Sequence, residues 1–308
     1  MFREKELFVF TLLQCVSIGL AYYLWVQALQ WIPDETWERI GESESGGDFA
    51  TKMLFLLWSL LCIGLAAMPL GILSGCMAAV HFLHRQGQES TIARCLKIVM
   101  PHAIRLWVLH WIDGYITCKQ ILERLPKKDD NTSPAQRALG EALYYAWKLG
   151  SIGMLPSLVM GKGMVAAGKD SLGLLKAHFK DVALLRAGYS AICWIVGIAT
   201  YALGALFLIK SGVIEFDQGE GQGVQIYQFF VWAGIPLLIA VAVVQIFVRP
   251  IFIISLCDIY SDFLEERHES PKLEDAPSRG VAALVAFGIL AIITATCAFY
   301  FRSWFGGE

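Results

Sequence analysis

The sequence predicts an all-α, polytopic helical membrane protein, with about five spans plus amphipathic or interfacial helices between spans 2 and 3. Three observations predict it. The 308 residues are 56% hydrophobic with a mean hydropathy of +0.55. Only 17% are charged, against about 25% in soluble domains. Five stretches are long and apolar enough to cross a bilayer, which takes roughly 20 residues, and none shows competing strand-like alternation.

The first stretch is Leu7–Trp31, after the basic start "MFREKELFVF". It outruns the roughly 7–15-residue core of a cleaved signal peptide and has no small-residue cleavage site, so a retained helix is expected. The second is Met53–Leu83. It carries Ala67, Gly71, Gly75 and Ala79 at four-residue intervals, a small-residue stripe for close helix packing, either within the chain or between two copies. The third, fourth and fifth are Ala187–Ile209, Tyr227–Val248 and Gly280–Phe301. Backbone amides in hydrocarbon must bond within their own segment, which makes helices of all five. Arg249 closes the fourth, and Pro250 after it is expected to kink the helix.

Charge orients the chain. The loop Ile32–Lys52 holds six acids (Asp34, Glu35, Glu38, Glu42, Glu44, Asp48), and Lys210–Gln225 is also acidic, whereas His84–Arg186 holds fifteen Lys or Arg. By the positive-inside rule, the basic segment and the N-terminus face the cytoplasm. Trp31 and Trp304 then lie at the outer interface. The loop Cys257–Arg279 is assigned to the inside on its Arg and Lys content. The expected organisation is 1–83, an N-terminal pair of spans; 84–186, a basic module on the cytoplasmic face; and 187–308, three further spans. The expected location is a bacterial inner membrane.

Within the module, "IVMPHAIRLWVLHWIDGYITC" (Ile98–Cys118) and "ALYYAWKLGSIGMLPSLVMG" (Ala142–Gly161) are apolar but interrupted by ionisable residues and Pro156. Helices dipping into the membrane are expected, with two extra crossings as the alternative. Ionisable residues at such depth are site candidates by default. They are Arg105, His110, Asp113, Lys148 and Arg249, with an Arg105–Asp113 pair as one possibility and snorkelling at the interface as the plainer account of Lys148 and Arg249.

"GKGMVAAGKDSLGLLK" (Gly161–Lys176) has part of a phosphate-loop pattern in Gly163, Gly168 and Lys169. Asp170 stands where a magnesium-binding hydroxyl belongs, and no parallel sheet surrounds it. On a helix, Lys162, Lys169, Lys176 and Lys180 form one stripe, and Val165, Leu172, Leu175, Phe179 and Val182 are placed on the opposite arc. That is a basic interfacial helix on anionic lipid. Ala146-Trp147, then "LPSLVM" (Leu155–Met160), a glycine turn and "AAGKDSLGLLK" resemble a pattern in bacterial integral membrane proteins of unknown function and in the membrane domain of some glycerophosphodiester phosphodiesterases. Pro156, Ala167, Ser171 and Leu174 carry the resemblance, over roughly residues 140–210. It implies a multi-span module and no chemistry.

His81 and His84 have a spacing that can serve a metal, but interfacial histidines explain them as well, and no metal or other cofactor is assigned. Eight cysteines stand singly, with no CxxC pair. No nucleophile–base motif appears, nor an exposed basic domain suited to nucleic acid. The expected partners are anionic membrane lipids and other membrane proteins, without nucleic acid or nucleotide. The expected function is non-enzymatic, a scaffold or a component of a membrane complex handling lipids or small molecules. A transporter or channel subunit is the alternative, and an intramembrane enzyme on lipid head groups the third.

Overall fold

The computed structural model describes residues 5–30, 46–124, 134–211, 226–269, 273 and 280–305. The acidic loops, the 125–133 stretch and most of 270–279 lie outside them. Among the described residues there is no strand. The helices are α1 (Lys5–Gln30), α2 (Gly46–Arg85), α3 (Ile92–Val99), a 3-10 turn (Met100–His102), α4 (Ala103–Arg124), α5 (Pro134–Gly150), α6 (Met154–Val159), α7 (Met164–Ala177), α8 (Phe179–Lys210), α9 (Ile226–Val243), a π turn (Val244–Val248), α10 (Arg249–Glu266) and α11 (Gly280–Phe305).

Among the described residues, five helical stretches are long and apolar enough to cross a membrane: Lys5–Gln27, Leu56–Arg85, Phe179–Lys210, Trp232–Glu266 and Gly280–Tyr300. Their outward faces are apolar as well. Leu184, Ile195, Leu203 and Phe207 on α8, and Phe299 on α11, are each at least 69% exposed. In water such a belt would cost about 25 cal/mol per Å² of apolar surface. Facing lipid it costs nothing, so this is a multi-pass membrane protein.

The fourth stretch runs on past Val248, where the sequence suggests a stop. Pro250 has no amide to offer the Ile246 carbonyl and crowds it. The helix answers with a π turn, in which the Arg249 amide bonds back to the Val244 carbonyl. Pro250 then takes a first-turn position of α10, where a missing donor is harmless. Thus the first part of the expected loop Cys257–Arg279 is helix as far as Glu266.

The most extensive helix pairing is α2 with α4, and glycine makes it possible. A Cβ on Gly71 would come within 2.8 Å of the Leu106 carbonyl oxygen, and one on Gly75 within 2.9 Å of the Leu106 and Val99 side chains. Gly64 faces Trp111, whose neighbour Trp107 donates to the Gly64 carbonyl at 2.8 Å, and Gly114 faces Ile63. As the contacts descend α2 from Gly75 to Ile63, they climb α4 from Leu106 to Gly114, so the pair is antiparallel. On its other side, α1 donates from Gln14 to Leu70 and Ser74, and from Trp25 to Ser59. Hence α4 runs beside the same stretch of α2 as the first span. Ile104, Val108, Ile112 and Tyr115, exposed at three- and four-residue steps, form its outward apolar stripe. The stripe Ala67–Gly71–Gly75–Ala79 is therefore filled from within the chain.

Gly71→Leu forces backbone apart along this seam. It is expected to destabilise the protein by about 1–3 kcal/mol or more, read as a lower melting midpoint in detergent. Gly197→Leu, at a glycine with open space around it, should leave the midpoint within error.

Candidate functional site

Two polar clusters form at different depths. The deeper one lies where α1, α2, α4, α5 and α10 meet. The Arg249 Nη2 donates to Ser74 Oγ at 3.0 Å and to His110 Nε2 at 3.3 Å. Gln14 Nε2 donates to the same Ser74 oxygen at 3.0 Å. His110 Nδ1 lies 3.0 Å from the Leu106 carbonyl. An arginine only donates and a carbonyl only accepts, so the imidazole carries its proton on Nδ1 and is neutral. One turn further along α4, Asp113 Oδ1 accepts from Lys148 Nζ at 2.5 Å and from Trp147 Nε1 at 3.2 Å. Lys148 is nearly the last residue of α5, which breaks at Ser151–Gly153 before α6. Arg249 likewise follows a break, the π turn. Such interruptions recur at functional sites.

Ser74 is seven residues, about 10 Å at 1.5 Å per residue, from His81, where the second cluster begins. Arg85 reaches Asp262 at 2.9 Å and Glu265 at 3.1 Å, and His81 lies 3.3 Å from Asp258. Asp170 on α7 is the hub. It takes Lys162 at 2.6 Å, the Ser157 and Tyr260 hydroxyls at 3.2 Å each, and Arg267 at 3.5 Å. Lys162 also pairs with Glu269 at 3.2 Å. Burial pushes the Asp170 carboxyl up, but the ammonium and the two hydroxyls outweigh it, and it titrates below the ordinary value. Burial pulls Lys162 down, but Asp170, Tyr260 and Glu269 outweigh that, and it titrates above its ordinary value.

Of the residues singled out in the sequence, His110, Asp113, Lys148 and Arg249 come together. Arg105 does not join them. Its Nη1 donates to the Gly161 and Lys162 carbonyls at 3.0 and 3.1 Å and holds the turn at Gly161, whose φ is +86°. An Arg105–Asp113 pair is therefore absent, Asp113 being taken by Lys148.

The lysine stripe is also rearranged. Gly163 is extended at the N-cap of α7, so Lys162 precedes the helix and points inward to Asp170. Lys169, Lys176 and Lys180 stay exposed, but Lys180 belongs to α8. Val165 and Leu172 are exposed on the same outward face, since residues four apart differ by only 40° on a helix. The face opposite buries Ala167, Ser171 and Leu174 against the protein, and Val182 is buried too. The outward face of α7 thus mixes aliphatic and lysine side chains instead of separating them onto opposite arcs.

His81 and His84 turn to different partners, Asp258 and Ser90. Among the described residues, no three His, Cys, Asp or Glu side chains are grouped to hold a metal. An apolar groove of about 240 Å³ lies on the seam of α1 and α9, between Cys15, Ile18, Gly19, Leu238 and Ala242. Gln14, Ser74, Asp170 and Tyr260 escape sequence reasoning. A glutamine in an apolar run or a serine between glycines has no local mark of a partner sixty residues away. No family model, curated protein or solved structure matches this chain.

Asp170 titrates low when folded, so its stabilisation is complete above the ordinary carboxyl value of about 4 and fades as pH falls through the lower folded value. Asp170→Asn should lower the melting midpoint at pH 7 by about 2–4 °C, the shift for roughly 1 kcal/mol after allowing for solvent screening. It should also flatten the wild-type loss of stability below about pH 4. An unchanged acid profile in Asp170→Asn would show that Asp170 contributes none of it.

Proposed function

We propose that this protein is a non-enzymatic component of a bacterial inner membrane that binds a lipid or small molecule at the Arg249–His110–Asp113–Lys148 cluster. The observation that carries the reading is the depth of that cluster. Gln14 and Ser74 belong to two spanning helices, and the ionisable groups beside them lie well inside their length. An arginine at such depth costs about 2.5–3.5 kcal/mol on insertion scales, a cost without return unless the group serves something. No residue pair in the cluster has the nucleophile-and-base arrangement of an enzyme.

A transporter is the second reading, and one observation favours it. The break after α5 and the π turn before Arg249 lie beside the same cluster, the arrangement by which broken helices line solute sites. Orientation follows from charge. Lys5 of α1 stands at the end of the bundle that carries Arg85, Arg94, Lys97, Lys169, Lys176 and Lys180, which supports a cytoplasmic N-terminus. The exposed lysine and aliphatic face of α7 suits anionic lipid at that surface.

Native mass spectrometry of the full chain released from nanodiscs tests the reading. A discrete non-protein adduct is expected on the wild type, its occupancy falling several-fold in His110→Leu. A scaffold would release partner proteins and no small adduct, and that result would sink the proposal.

A further inference from the structure

The deeper cluster is short of negative charge. His110 is neutral by its hydrogen bonds. Lys148 is answered by Asp113. Arg249 has no carboxylate within ion-pairing distance among the described residues. Arg186 has none either; it lies 5.7 Å from the centre of the Tyr189 ring. Arg186 and Arg249 both lie close enough to oppose the charge on Lys148, and Asp113 is the carboxylate among the described residues that favours it. Two positive charges are thus left over in a low-dielectric setting, where an uncompensated charge is costly.

The guanidinium is also half used. Both of its hydrogen bonds come from Nη2; Nε and Nη1 donate to no acceptor among the described residues. A guanidinium edge of two parallel N–H groups fits two oxygens of one oxyanion. Its position is fixed from behind, because Ser74 and His110 hold Nη2 while the α2–α4 seam holds Ser74 and His110. Residues of α8 extend from the cluster toward the surface. Tyr189 stacks on Phe252, one turn from Arg249, with ring centres 4.3 Å apart, and Arg186 lies one turn nearer the α8 N-terminus, on the side of the surface cluster.

We propose that this cluster is an oxyanion site that takes a phosphate group, carried on a lipid or free in solution, with Arg249 as its chief ligand and Lys148 and Arg186 as flanking charges. The proposal rests on the reading of the cluster as a binding site and names the chemistry of what binds. Asp113 does not repel the ligand outright, because its oxygen is held by Lys148 and Trp147 and it serves to aim the ammonium. Arg186, the cation nearest the surface, is the first that a phosphate from the inner leaflet or the aqueous phase meets.

The full chain in nanodiscs provides the test, with thermal midpoint and native mass spectrometry as readouts. Three conditions are compared: phosphatidylcholine alone, phosphatidylcholine with phosphatidylglycerol, and phosphatidylcholine with millimolar inorganic phosphate against chloride at equal ionic strength, which removes general screening. The wild type is expected to gain stability and retain the anion in at least one of the two arms that add a net-anionic phosphate, the phosphate of phosphatidylcholine being balanced by its own choline. A gain with phosphatidylglycerol alone assigns the site to a lipid head group, and a gain with inorganic phosphate alone to a soluble anion. Arg249→Gln should weaken the apparent affinity by at least about tenfold. Arg186→Gln, at the entrance, should weaken it less while folding normally. The triple variant Lys169→Gln, Lys176→Gln and Lys180→Gln should bind as the wild type does. The proposal is overturned if neither anion shifts the wild type, or if the triple variant loses the effect while Arg186→Gln and Arg249→Gln keep it. Retention of an uncharged adduct, equal in wild type and Arg249→Gln, would overturn the oxyanion while leaving the broader binding reading intact.

Discussion

The close approach of α4 to α2 is the constraint on which the rest of the molecule depends. A bilayer supplies no hydrophobic drive between helices, because lipid tails are as apolar as leucine. Association must come from contact, and contact here requires side chains to be absent at Gly71 and Gly75. With the Leu106 carbonyl resting against Gly71, His110 falls one turn on, beside Ser74 and Arg249. Asp113 falls one turn further, within reach of Lys148. A bulkier α2 would move α4 outward by roughly the width of a methyl group or more. The hydrogen bonds of the deeper cluster, at 2.5–3.3 Å, have no slack to absorb that.

The fold class was legible because one quantity dominates it. Runs of twenty or more apolar residues with the charges gathered between them leave no soluble alternative, and the five stretches read from the sequence overlap the five candidate spans. The boundaries were less legible where proline was involved. The apolar run reads as ending at Val248 with a kink at Pro250, yet a π turn places Pro250 at the start of the next helical stretch, and the helix continues to Glu266. The α4 and α5–α6 segments were ambiguous for a related reason. His110, Asp113 and Lys148 lower their apparent hydropathy, but they find partners within the bundle, so their polarity does not report their depth.

The site was half legible. Ionisable residues in apolar surroundings stand out, and four of the five singled out do meet. Their grouping was not readable. Arg105 and Asp113 are eight residues apart on one helix and look like a pair, but Arg105 is drawn to carbonyls that the Gly161 turn leaves unbonded, and Asp113 to a lysine from α5. Lys162 shows the converse. Its spacing of seven from Lys169 and fourteen from Lys176 suggests a common face, and a single extended glycine removes it from the helix. Spacing constrains orientation only within an unbroken helix, and Gly163 is where that condition fails.

The two clusters differ in a way that bears on their roles. Around Asp170 the charges are matched: Lys162, Arg267, Asp170 and Glu269 balance, and the hydroxyls of Ser157 and Tyr260 complete the carboxylate's coordination. A balanced network of that kind joins α7 to the end of α10 and needs nothing added. Around Arg249 the accounting does not close. Acceptors that would satisfy a mid-bundle guanidinium are ordinarily carboxylates, and the carboxylate of this cluster, Asp113, is held by Lys148. Hydrogen bonds to Ser74 and to a neutral imidazole fix the group in place without neutralising it. An arrangement that orients a cation firmly and leaves its charge unanswered is suited to receive an anion, and it is stable in lipid to the extent that one is bound.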